Sequence, residues 1–104
     1  MSFSLPMAPL PEPDFHRQAK VLKVLAHEAR LRIVDRLSRG ECGAGELAAL
    51  VGGDRTAVSK HLALLRAHGI IADRRVGSAV VYTLLTPCVV QFFACAGQVL
   101  QERR

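Results

Sequence analysis

Two groups of residues in this 104-residue chain have types and spacings that could do chemistry. The first is basic and hydroxylic: Arg55, Thr56, Ser59 and Lys60 recur within two helical turns, followed by Ala63, with Arg74 and Arg75 further on. Arginine can grip guanine O6 and N7 together, and threonine and serine are short donors and acceptors, so the set suits the reading of base edges. The second group is the three thiols, Cys42, Cys88 and Cys95. Sulfur ligands suit soft, thiophilic effectors: trivalent arsenic, cadmium-like ions, or a reactive sulfur or oxidant species. Their odd number and wide spacing argue against a disulfide-stapled secreted domain. The four histidines (His16, His27, His61, His68) show no metal-ligand spacing. With no Ser-His-Asp set, paired carboxylates or phosphate-cradling glycine loop, the chain is not expected to be an enzyme.

These residues need a scaffold, and the hydrophobic pattern predicts one. From Phe15 to about Ala26, Phe15, Leu22, Leu25 and Ala26 share a helical face. A second helix runs from about Glu28 to Ser38, with Leu31, Val34 and Leu37 inward and Arg32, Asp35, Arg36 and Arg39 outward, and Gly40 ends it. A glycine-rich loop over 41–45 leads to a short helix from Glu46 to Val51, and Gly52-Gly53 makes a turn. Asp54 is an N-cap for a helix from Arg55 to about His68, whose Val58, Leu62 and Leu65 face the core. Two β-prone runs, Ile70 to Arg75 and Ala79 to Leu84, are joined through Val76-Gly77-Ser78, and Thr86-Pro87 opens a last helix. Residues 1–14 hold four of the five prolines and read as a flexible arm; residues 15–104 read as one domain. The fold class is mainly α with a small β-hairpin wing: four helices, the hairpin and a fifth helix, a winged helix-turn-helix.

Composition fits that size and class. Hydrophobic residues make up 50% and charged residues 22%, as in a folded globule, and at 5% aromatics the core must be aliphatic. The formal charge of +5 suggests a polyanionic partner. Residues 54–75 carry five basic side chains against two acidic, which concentrates that excess on the second helix of the motif and the hairpin. In this motif the second helix enters the DNA major groove, and wing arginines reach phosphates or the minor groove. No signal peptide is evident. The uncharged stretch between Arg75 and Glu102 is too interrupted by Thr86, Pro87, Gln91, Gly97 and Gln98 to span a membrane. The expectation is a cytoplasmic protein whose partner is double-stranded operator DNA.

Three stretches resemble the ArsR/SmtB family of metal- and thiol-responsive repressors: Leu25-Ala26-His27-Glu28-Ala29-Arg30-Leu31-Arg32-Ile33, the run from Val58 to Ile71, and Arg75-Val76-Gly77-Ser78-Ala79-Val80-Val81-Tyr82. The resemblance extends from about Val21 to Leu100. It implies a winged-helix homodimer that releases its operator when an effector binds, with Ser59 and His61 facing DNA and Tyr82 on a wing strand. Family members with a thiolate site ahead of the motif carry Cys-x-Cys before an acidic-Leu pair. Here Gly43-Ala44-Gly45-Glu46-Leu47 puts glycine at both positions, with Cys42 one residue earlier. Zinc-sensing relatives use a carboxylate and histidines on the last helix, but residues 86–104 contain no His and no Asp. Another variant places cysteines on the recognition helix, where this chain has Leu64 and His68.

The last helix is apolar on almost every side and must be covered on every side. A chain this small cannot cover it alone, so Val89, Phe92, Phe93, Ala96, Val99 and Leu100 are expected at a homodimer seam. Cys88 would sit at its first turn, where the helix dipole favours a thiolate. Cys95 follows seven residues later, about 10.5 Å away in a continuous helix, too far for a disulfide or for two ligands on one ion. A site for As(III) or a soft divalent metal therefore recruits Cys42, a frayed first turn, or the partner subunit. The alternatives are a reactive-sulfur or redox sensor on the same fold, cysteines that merely fill space, and a winged-helix module that binds protein. The cluster Arg55, Lys60, Arg74 and Arg75 speaks against the last.

Overall fold

The computed structural model describes residues 12–102, so residues 1–11 of the expected arm lie outside the described residues. Helix α1 (Phe15–Leu25) starts where Asp14 accepts a hydrogen bond from the Arg17 N–H at 3.1 Å. Helix α2 (Glu28–Leu37) follows after only two residues, capped by His27, whose Nδ1 accepts from the Ala29 N–H at 3.1 Å. Its buried residues are Ile33, Val34 and Leu37. Leu31, expected inward, is instead 38% exposed, because the buried stripe is centred one residue round from the expected face.

The expected loop over 41–45 holds regular structure. Cys42–Gly43 forms a short strand, β1, and helix α3 (Ala44–Val51) begins two residues ahead of the expected start. Glu46, in its first turn, reaches back to the Gly43 N–H at 3.4 Å. After the glycine turn come α4 (Arg55–Ala67) and the hairpin β2 (Ile71–Val76) and β3 (Ala79–Leu84). The sheet is antiparallel in the order β1-β3-β2, with Tyr82 of β3 opposite both Cys42 and Asp73.

Thr86-Pro87 opens a single 3-10 turn, Pro87–Val89, before α5 (Val90–Glu102) begins. The core is aliphatic, as the scarcity of aromatics requires: Ile33, Val34, Leu47, Leu65 and Ile71 are its most deeply buried side chains. Val89, expected at a seam, is 4% exposed and belongs to this core. The 3-10 turn swings it inward ahead of α5. Among the described residues, no helix is long and apolar enough to cross a membrane.

Candidate nucleic-acid interface

Helices α3 and α4 are joined by Gly52 and Gly53, both with positive φ (76° and 80°). Gly52 also has ψ 177°, a backbone region open essentially to glycine alone. The Asp54 carboxylate then accepts from the Thr56 N–H at 2.9 Å and starts α4. Val58, Leu62 and Leu65 are buried, and this alone turns Arg55, Thr56, Ser59, Lys60 and Ala63 outward. Among the described residues Arg55, Lys60 and Arg75 form no ion pair, so these cations are free for an anionic partner.

The two wing arginines are not equivalent. Side chains alternate along a strand, so Asp73 and Arg75 share one face of β2 and Arg74 takes the other. Asp73 meets Arg66 of α4 at 3.4 Å, which puts Arg75 on the recognition-helix side. Arg74 reaches to the opposite side of the sheet and is gripped by both carboxylate oxygens of Glu41, at 2.7 and 2.8 Å. Glu41 precedes β1, and nothing in the local sequence marks it as a partner 33 residues away. The sheet order creates the pair. Tyr82, half-buried beside Asp73, has its phenol pushed up by burial and by that carboxylate.

His61 is a correction. The resemblance implies a DNA-facing side chain, but the ring is half-buried and turned toward α2. Its Nδ1 accepts from Arg30 Nε at 3.2 Å, and the ring lies against His27 at a centroid distance of 4.6 Å. Burial, followed by the nearby His27 and Arg30, lowers its pKa below the usual histidine range. The cause is helical periodicity: His61 adjoins buried Leu62 and lies three residues past buried Val58, at the edge of the inner face.

The cysteines do not converge within one protomer. Among the described residues no three His, Cys, Asp or Glu side chains are grouped to hold a metal. Cys42 is 3% exposed in the core, and burial pushes its thiol up, against the opposing pull of Arg36. Cys88 and Cys95 are both exposed, Cys88 in the 3-10 turn rather than in the first turn of α5. Cys88 borders an open apolar groove of about 550 Å³ between α1 and the start of α5, lined by Phe15, Leu22, Leu25 and Phe92 among others. Phe92, Val99 and Leu100 are 56%, 52% and 70% exposed, and Phe15 on α1 is 77% exposed. Ala96 is exposed as well, while Phe93 packs partly on the core. The contribution of α1 to this apolar surface is new: the sequence pattern gave Phe15, Leu22 and Leu25 one helical face without saying what covers it, and of the three only Leu25 is buried in the core.

Architecture and outer face together place the chain among winged helix-turn-helix DNA-binding proteins. A helix-turn-helix domain family matches residues 25–74. The uncharacterized HTH-type transcriptional regulator Rv0081 of Mycobacterium tuberculosis (strain ATCC 25618 / H37Rv) is 37% identical over 90 residues, covering 86% of this chain and 79% of the relative. The crystal structure of Rv0081 matches with a TM-score of 0.75 at 35% identity, over 88% of this chain and 93% of that one. The transcriptional repressor SmtB homolog of Synechocystis sp. (strain ATCC 27184 / PCC 6803 / Kazusa) is 34% identical over 86 residues, covering 83% of this chain and 65% of the relative. The solution structure of a homodimeric winged helix-turn-helix DNA-binding domain (fragment 1–100) from Mycobacterium bovis, a possible ArsR-family regulator, matches with a TM-score of 0.68 at 28% identity, over 90% and 93% of the two chains. The chain belongs to the ArsR/SmtB family of DNA-binding transcriptional regulators, a family without enzymatic activity.

Proposed function

We propose that the protein is a homodimeric repressor that reads operator DNA with the outer face of α4 and the wing, and leaves it when a thiophilic effector engages Cys88 and Cys95. The observation that carries the reading is the division of the surface. A cationic, hydroxyl-bearing α4 face, whose Arg55 and Lys60 form no ion pair among the described residues, lies on one element, and an uncovered apolar surface of α1 and α5 on others. The first suits a DNA groove. The second suits a second copy of the chain, whose α1 and α5 offer the same apolar surface in return. The homodimeric M. bovis relative and the repressor name of the Synechocystis relative support the assembly and the direction of control.

Cys42 is walled into the core as a thiol and is set aside as a ligand. An ion such as As(III) or a soft divalent metal, held by two or more thiolates, then draws at least one from the partner subunit. Modification of a single exposed thiol by reactive sulfur or an oxidant needs no such convergence. The dispersed cysteines favour keeping it as the second reading. The test is fluorescence anisotropy of the operator complex titrated with arsenite, cadmium, zinc and a persulfide donor. Release by a thiophile from the wild type, and its loss in Cys88→Ser or Cys95→Ser, is the expected result. A triple Cys→Ser protein that still leaves DNA would end the thiol reading while keeping the DNA-binding one.

A further inference from the structure

Arg30 stands where the pattern of α2 calls for an apolar residue. It leads the i, i+3, i+4, i+7 series Arg30, Ile33, Val34, Leu37, of which the last three are buried. Its guanidinium is therefore carried on the inner face of the helix, into the angle where α1, α2 and α4 meet. There Nη1 donates to the Val24 carbonyl at 3.1 Å and Nε donates to His61 Nδ1 at 3.2 Å.

Each contact answers a local need. Val24 lies in the last turn of α1, where carbonyls lack partners within the helix and the dipole favours a cation. His61 presents a ring nitrogen on a half-buried side chain, and its ring leans on His27, the residue that caps α2. Among the described residues, no other side-chain hydrogen bond joins α1 or α2 to α4. Apolar packing is non-directional and tolerates small rotations of one helix on another. Two hydrogen bonds from one planar guanidinium do not.

We propose that Arg30 is a positioning residue for operator recognition: it holds α4 at a fixed angle to α1 and thereby sets the half-site spacing that the dimer accepts. The inference rests on the dimeric reading above. Because α1 forms one wall of the apolar surface between copies, Val24, Arg30 and His61 make a hydrogen-bonded link from that wall to each recognition helix, beside the direct packing of α1 on α4.

The test uses operators selected by the wild-type protein from random DNA, then remade with one or two base pairs added or removed between the half-sites. Wild type should bind the altered spacings roughly tenfold or more weakly. Arg30→Gln should bind native and altered spacings within about threefold of each other, while remaining dimeric with a cooperative melt. His61→Leu removes the acceptor on α4 but leaves Arg30 on Val24, and should match Arg30→Gln; it carries the test if Arg30→Gln does not fold. His61→Asn can offer Oδ1 in place of Nδ1 and should keep wild-type discrimination. Spacing discrimination retained in both Arg30→Gln and His61→Leu would overturn the proposal. A wild type indifferent to spacing would instead overturn the dimeric reading, and the positioning role with it.

Discussion

Ser59, Arg55 and Arg75 are all polar and outward, yet their loss should be felt differently. Ser59→Ala and Arg55→Ala remove groups that the proposed reading sets against base edges, and should each weaken operator binding by ~1–3 kcal/mol while sparing random DNA. Arg75→Ala should weaken all sequences alike and reduce the salt slope by about one. Arg74→Ala should change that slope less, because Glu41 already engages the guanidinium. Titrations at several salt concentrations check this, and equal slopes for the two arginine variants would contradict the assignment of faces. The cysteines divide in the same way. Exposed Cys88 and Cys95 should be alkylated in the native protein within the time that buried Cys42 stays intact, as read by mass spectrometry.

His61 adds a pH dependence. Its lowered pKa means that the fold favours the neutral imidazole. On acidification the unfolded chain takes up the proton first, near about 6.5. The stabilisation is thus complete above that pH and is lost as pH falls through it, until folded His61 also protonates. Denaturant midpoints between pH 8 and 5 should fall further for wild type than for His61→Asn.

At the scale of elements, the turn between α3 and α4 decides how the recognition helix leaves its support. Gly52 holds a conformation in which any side chain is strained, although nothing lies within 4 Å of a Cβ there. Gly52→Ala should therefore cost ~1–3 kcal/mol through backbone strain alone. Gly45 has no positive φ, sits within α3 and has the same open space, so Gly45→Ala should stabilise by roughly 0.4–1 kcal/mol. Thermal melts without DNA compare the two, and a Gly52→Ala protein as stable as wild type would remove the strain argument.

For the whole molecule, the exposed apolar residues of α5 separate folding from assembly. Phe92 and Val99 are more than half exposed in the single chain, so glutamate at either position should leave the protomer folded. In the proposed seam the same charge would be buried without a partner, at a cost of several kcal/mol. Phe92→Glu and Val99→Glu should therefore run as folded monomers in light scattering. Their operator affinity should drop, because two half-sites are engaged together. Variants that stay dimeric would place the seam elsewhere.

Much of what depends on near neighbours was legible in the chain itself: the α4 stripe of Val58, Leu62 and Leu65, the Asp54 cap, the glycine turn, the hairpin, and through them the helix-turn-helix and its outward basic face, although the α2 stripe was read one residue off, with Leu31 inward in place of Ile33. Helical and strand periods are local, and they orient side chains before any tertiary contact forms. What tertiary structure alone decided were contacts between distant segments: β1 against β3, Glu41 on Arg74, Cys42 sealed in the core, and α1 joining α5 in an uncovered apolar surface. Arg30 and His61 show why. Each sits on a helix predicted nearly to the residue, but a charged group at a core position and a histidine at the edge of a face have no meaning until the helices meet. The partner of each is set by how three helices cross, and that crossing is encoded in no window of the sequence.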